Sequence, residues 1–429
     1  MAITNLQTPA ASDTTRSSYR AALAMVTTLF FMWGFLTCLN DILVPHLKPI
    51  FDLTYAKIMF IQFAFFSAYF VFSVPLGKVV ERIGYKWTMV GGLFTMGLGA
   101  LLFIPAASVP SYPLFLFALI VLAGGITALQ VSANPYVAVL GPARTASSRL
   151  NLAQAFNSLG TTIAPYLGGL FILSAAPKSM DEIRQMPAQV LQAYRLHQAS
   201  SIKLPYLVLG LIAIALGVTI ATFKLPPIPE AERQAGDKSP HTSLWKYRHL
   251  ALGAVGIFVY VGAEVSIGSF LVNYFSQRDI GNISEKVAAG FVSLYWLGAM
   301  VGRFIGSAIL QKVRTGIVLG TAAIVACLLV STSMLSTGHV AMWSIILVGL
   351  FNSVMFPSIF TLGIAELGPL TGEGSGILIM AIVGGAILPV LVGALADRIG
   401  IHHAFLLPAI CYVYIVYYGF KGSRPVHPT

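Results

Sequence analysis

Asp41 stands in a stretch, residues 21–44 (AALAMVTTLFFMWGFLTCLNDILV), that holds no other charged residue. About 20 consecutive apolar residues suffice to cross a bilayer. A carboxylate in such a stretch is costly unless it faces protein interior or a water-filled path, and side chains so placed mark ion or substrate routes. Asp41 can therefore exchange a proton, or, staying charged, contribute oxygen ligands to a sodium ion. Glu264 interrupts the apolar stretch 248–276 in the same way. It is expected either to bind a polar substrate or to serve as a helix contact.

Amides surround these carboxylates along the chain. Asn40 is next to Asp41. Thr37 and Asp41 are four apart, as are Gln130 and Asn134, and Gln154 and Asn157 are three apart. Helical spacing puts each pair on one face. Amides need partners in hydrocarbon, so these faces should turn inward. An amide both donates and accepts, which suits sugar hydroxyls. Trp33, Tyr69, Tyr295 and Trp296 could stack on the apolar face of a sugar ring. Asn352 is a further candidate contact, and Asn273 a weaker one near a helix end. The expected binding set is Asn40, Gln130, Asn134, Gln154, Asn157, Glu264, Tyr295, Trp296 and Asn352, with Asp41 as the coupling group.

The elements that must position these groups follow from composition. Of 429 residues, 57% are hydrophobic and 10% charged, against roughly 25% charged in soluble domains. The chain reads as an all-α integral membrane protein, since lipid offers the backbone no partners and the apolar stretches lack period-two alternation. Twelve membrane-length stretches are expected: 22–45, 57–77, 87–107, 113–139, 150–173, 204–223, 248–276, 288–310, 316–336, 339–366, 374–396 and 402–421. They divide into an amino-terminal tail (1–21), a six-helix bundle (22–223), a linker (224–247), a second bundle (248–421) and a short tail (422–429). The polar segment 180–200 reads as a short amphipathic helix outside the membrane. With the amino terminus inside, about 17 of the 26 Lys and Arg fall on the cytoplasmic side. Both termini are then cytoplasmic.

The net charge of +11 is spread among loops with no nucleic-acid motif. Cys38, Cys327 and Cys411 lack metal or disulfide spacing. Neighbouring His402 and His403 point to different helix faces. No metal, cofactor or enzyme signature is present. Glu366 and Glu373 are expected in a solvated loop, and Asp397–Arg398 as a helix-end ion pair.

The two halves repeat. Gly160, Pro165 and Gly169 recur at an offset of 224 as Gly384, Pro389 and Gly393, and the same offset carries Asn40 onto Glu264. Duplicated bundles with a site between them are a transporter architecture. After the second stretch comes Gly77-Lys-Val-Val-Glu81-Arg82-Ile-Gly84-Tyr-Lys86, which resembles the signature loop of the major facilitator superfamily, with Glu81 in place of the usual Asp. The resemblance implies a gating latch; Arg303, with Gly302, Lys312 and Arg314, is its looser echo after the eighth stretch. Trp33-Gly-Phe-Leu-Thr-Cys-Leu-Asn40-Asp41, Gln130-Val-Ser-Ala-Asn134-Pro135, Asn151-Leu-Ala-Gln154-Ala-Phe-Asn157 and Tyr260-Val-Gly-Ala-Glu264 resemble the fucose:proton symporter family, including its glucose/galactose branch. That resemblance implies a monomeric bacterial inner-membrane importer of a hexose-type sugar, coupled to a proton or to sodium. Fucose symporters carry Glu where this chain has Gln130, so a mechanism with two carboxylates in the first half is not expected. An exporter of drugs or metabolites on the same fold, and a membrane sugar sensor, are the alternatives.

Overall fold

The computed structural model describes residues 13–51, 55–109, 111–171, 182, 185–226 and 244–425. Its helices are α1 (Asp13–Phe51), α2 (Tyr55–Ser108), α3 (Tyr112–Val139), α4 (Ala146–Phe171), α5 (Ala188–Ser200), α6 (Lys203–Thr222), α7 (Arg248–Phe275), α8 (Glu285–Ile309), α9 (Thr315–Leu335), α10 (Gly338–Asn352), α11 (Met355–Gly363), α12 (Thr371–Met380), α13 (Gly384–Ile399), α14 (Ile401–Ala404) and α15 (Leu406–Tyr417). No strand occurs among the described residues.

Ten described helical segments are long and apolar enough to cross a membrane. Two details bring this to the expected twelve. The second segment holds two crossings, because α2 breaks at Gly84 (φ 79°, ψ 168°). That backbone conformation is open to glycine and costly for other residues. The same break recurs at Gly400 (φ 83°, ψ 154°), between α13 and α14. The other missing crossing is α4, whose face of Ser147, Ser148, Asn151, Gln154, Asn157 and Ser158 lowers its apolarity.

Prolines shape the second half. Pro357 has no N–H, and its ring clashes with the carbonyl four residues back. The tenth crossing accordingly divides at Ser353 into α10 and α11. Beside the break, the Tyr260 hydroxyl approaches the Asn352 carbonyl at 3.1 Å.

The duplication is visible in packing. Gly160 of α4 lies against the Phe31 carbonyl of α1, and Gly384 of α13 against the Phe258 carbonyl of α7. Each glycine lets two backbones meet where a side chain would not fit. Adding a methyl to such a contact costs about 1–3 kcal/mol. Gly91 has nothing within 4 Å of the place its Cβ would take. Gly160→Ala should therefore melt in detergent at a clearly lower temperature than Gly91→Ala; equal midpoints would contradict the close approach.

Candidate functional site

Two seams join the halves, and both are built from polar or small residues at helical spacing. The first lies between α4 and α8. Ser147 Oγ bonds with Thr361 Oγ1 of α11 at 2.6 Å and with Thr315 Oγ1 of α9 at 2.9 Å. The adjacent Ser148 Oγ donates to the Ser307 carbonyl (2.7 Å), and Ser307 Oγ returns the bond to the Ser148 carbonyl (3.0 Å). Asn151 Nδ2 donates to the Arg303 carbonyl (2.7 Å). The Arg303 guanidinium then crosses to α4, donating to the Gln154 carbonyl (3.2 Å) and to Ser158 Oγ. Farther along, Thr162 Oγ1 donates to Met300 Sδ at 3.6 Å. Residues 300, 303 and 307 are three or four apart, so α8 presents one continuous stripe to α4.

The second seam lies between α2 and α12. A Cβ on Gly77 would stand 2.8 Å from the Gly372 carbonyl, and one on Gly376 would stand 2.6 Å from the Ser73 carbonyl. Glu81 Oε1 accepts the backbone N–H of Glu373 at 3.1 Å. Glu373 is the third residue of α12, where N–H groups lack intrahelical partners and the helix dipole favours an anion. The Glu81 contact therefore runs through a helix terminus rather than through an arginine. Arg82 is exposed, and Lys86 lies over the Trp87 ring at 5.3 Å. Glu373, expected in solvent, is half-buried in this contact. Glu366 and Asn273 are exposed. His402 Nδ1 approaches Asp279 Oδ2 at 3.9 Å. Asp397 and Arg398 do not pair, because adjacent helical residues diverge.

Two of the first-half amides meet across helices, and the others find different partners. Gln154 Nε2 of α4 donates to Asn134 Oδ1 of α3 (3.2 Å), and Gln130 Nε2 donates to the Tyr69 hydroxyl (2.9 Å). Asn134 Nδ2 is buried without a partner. Asn157 Nδ2 donates to the Phe30 carbonyl of α1 (3.0 Å), and Gly34 packs on the same side chain. Asn40 and Asp41 belong to α1, but their side chains lie outside the described residues. Position 41 follows Gly34 by seven residues, two turns along one stripe.

In the second half, the Tyr260 hydroxyl donates to Glu264 Oε1 at 2.8 Å. Asn352 is fully buried, its Nδ2 donating to the Tyr295 hydroxyl and its Oδ1 accepting from Tyr412, both at 2.8 Å. Both ends of that amide are held by tyrosines, so Asn352 orders the core beneath Glu264. Tyr295 is likewise buried, while its neighbour Trp296 keeps 43% of its surface exposed and lies over Gly268. Trp33 and Tyr69 are 3% exposed. Of the four aromatics, Trp296 alone offers an open face. Arg303, expected as an echo of the loop motif, is inside α8 and faces α4. Sequence reasoning missed Ser147, Ser148, Ser158, Ser307 and Thr361; the spacing of Ser147 and Ser158 with Asn151 and Gln154, and of Ser307 with Arg303, was the available signal. Two apolar grooves, one between α1 and α6 (Thr28, Phe35, Leu204, Ile212) and one beside α8 and α9 (Ile305, Ile309, Val318), contain none of the candidate groups.

Glu81 lies three residues before the Gly84 break that separates the two crossings of α2. Burial first, and the neighbouring Glu373 carboxylate second, push its carboxyl up to about 7. When this end opens, the group should return toward its ordinary value of 4.5. The closed state thus binds more protons. Its contribution to closure is complete below about 4.5 and is lost as pH rises through about 7. Alkylation of a Ser307→Cys probe should accelerate between pH 5 and 8, and Glu81→Gln should flatten that profile. An unchanged profile in Glu81→Gln would contradict the assignment.

The comparisons agree with this geometry. The Major Facilitator Superfamily profile matches residues 22–382. The glucose/galactose transporter of Brucella abortus biovar 1 (strain 9-941) is 53% identical over 409 residues, covering 95% of this chain and 96% of its own. The L-fucose-proton symporter of Escherichia coli (strain K12) is 36% identical over 408 residues, covering 93% and 92%. The crystal structure of FucP in the outward conformation superposes with a TM-score of 0.88 at 34% identity, over 94% of this chain and 98% of that one. The proton:xylose symporter XylE shares the fold, with a TM-score of 0.72 at 14% identity. Helices, duplicated packing, signature loop and relatives converge: this chain is an integral membrane protein that belongs to the Major Facilitator Superfamily, in one sequence family with bacterial glucose/galactose transporters and L-fucose-proton symporters.

Proposed function

We propose that the chain imports a hexose-type sugar together with a proton, by alternating access between bundles 22–223 and 248–421. The observation that carries the reading is the buried amide pair Gln154–Asn134 of α4 and α3, with Arg303 of the other half donating to the Gln154 backbone carbonyl, in a protein whose relatives are named sugar transporters. Amides and a carboxylate can together match several hydroxyls, and the buried, unpartnered Asn134 Nδ2 is a donor that still requires an acceptor. An exporter of apolar drugs would gain nothing from these groups.

In this reading Asp41 takes the proton, and Asn40, Gln130, Asn134, Gln154 and Asn157 bind sugar from the first half. Glu264 binds it from the second, Trp296 stacks on the ring, and Tyr295 and Asn352 hold Glu264's surroundings in place. Gly77, Glu81, Arg82, Gly84 and Lys86 form the latch. Both termini and both seams are cytoplasmic, so this state opens outward. The transporter acts as a monomer in the bacterial inner membrane. A proton entering down the membrane potential supplies about 2.3 kcal/mol per 100 mV, roughly a 50-fold concentration ratio.

Labelled-galactose counterflow in proteoliposomes tests the reading; its absence for several hexoses would overturn it. Gln154→Ala should raise the half-saturation concentration about tenfold while the protein inserts normally, and an unchanged value would remove Gln154 from the site. Asp41→Asn should lose concentrative uptake yet retain counterflow. Undiminished accumulation would refute the coupling role.

A further inference from the structure

We propose that Arg303 is the positioning residue that ties opening of the seam to the binding site, by exchanging its α4 partners for Glu264. The inference rests on the transport reading above. In the closed seam Arg303 is spent on groups of the opposite half, the Gln154 carbonyl and Ser158. Its anchor through Asn151 also comes from that half. When α4 and α8 separate, all three contacts are lost together. A guanidinium released at the wall of the opening cleft gains a charge-assisted hydrogen bond by turning to a nearby carboxylate. In addition, its Nε–H is already buried without an acceptor, so the closed state leaves one of its donors unspent.

Glu264 is the carboxylate within reach. Trp296 of α8 packs on Gly268 of α7, and these two crossings run antiparallel. Four residues back from Gly268 is Glu264; four residues on from Trp296 is Met300. At 1.5 Å per residue both lie about 6 Å deeper, at one level. Arg303 lies about 4.5 Å deeper again on the same stripe, and its long side chain can span that step. Yet the two groups form no ion pair within 4 Å in this state, Glu264 being held by the Tyr260 hydroxyl. Both partners belong to one half, so their pairing survives separation of the bundles. Because Arg303 holds the backbone of Gln154, a sugar engaging Gln154 and Glu264 acts on both ends of the exchange.

Two measurements test this. Counterflow of labelled galactose is measured for wild type, Glu264→Gln, Arg303→Met and the double variant. Arg303→Met alone should slow counterflow at least tenfold, by stranding Glu264. In the Glu264→Gln background the same change should cost less than threefold. Equal slowing in both backgrounds, or no slowing in either, overturns the proposal. Independently of whether Arg303→Met folds, sugar should accelerate alkylation of Ser307→Cys at least fivefold in the wild-type background and not when Glu264→Gln is added. Equal acceleration in both overturns it. Wild-type protein that gives no counterflow for any hexose would instead defeat the sugar reading itself.

Discussion

A backbone or side-chain polar group inside a bilayer must find its partner within the protein. That constraint explains α4. A helix with serines, asparagines and a glutamine along one stripe cannot turn that stripe to lipid, and neither α1 nor α3 has the polar groups to satisfy all of it. The remainder is taken by α8, α9 and α11, which belong to the other half of the chain. The halves are thus held together by the residues that kept α4 from reading as a simple apolar span.

The strength of these bonds suits a reversible closure. Interhelical hydrogen bonds in membranes average about 0.6 kcal/mol. The nine hydrogen bonds described across the two seams then amount to about 5 kcal/mol, comparable to what a ligand's differential binding can shift. An apolar interface of similar length would close more firmly and would hold no groups for a hydrophilic substrate to compete with. The glycine contacts of α2 with α12 work differently: they bring a helix N-terminus close enough for Glu81 to accept from it. Duplication relates the two seams, since α2 and α8 descend from equivalent positions, as do α4 and the eleventh crossing formed by α12 and α13.

Much of this could be read from residue order. The apolar stretches, the repeat at an offset of 224 and the glycine that breaks α2 are local properties, and each appears in the fold. The pairs Gln130 with Asn134 and Gln154 with Asn157 declared their shared faces through spacing alone, although the bond from Gln154 to Asn134 joins two helices and could not be foreseen. Three features were hidden because they depend on tertiary placement. Asn352 reads like a binding amide, but the break imposed by Pro357 and two tyrosines from α8 and α15 make it a core hub. Arg303 follows a glycine as in a loop motif, yet its helix continues for six more residues and carries it into the seam. Glu373 looks solvated until α2 is packed against the start of α12.

The central claim is that the end closed by these seams must come apart during transport. It is tested most directly by spin labels at Arg144→Cys and Lys312→Cys, on the exposed loops after α3 and α8, with the native cysteines replaced. Double electron–electron resonance should give one short distance without sugar, and a second, longer population when galactose is added at acidic pH. A single short distance that neither sugar nor pH alters would contradict the account.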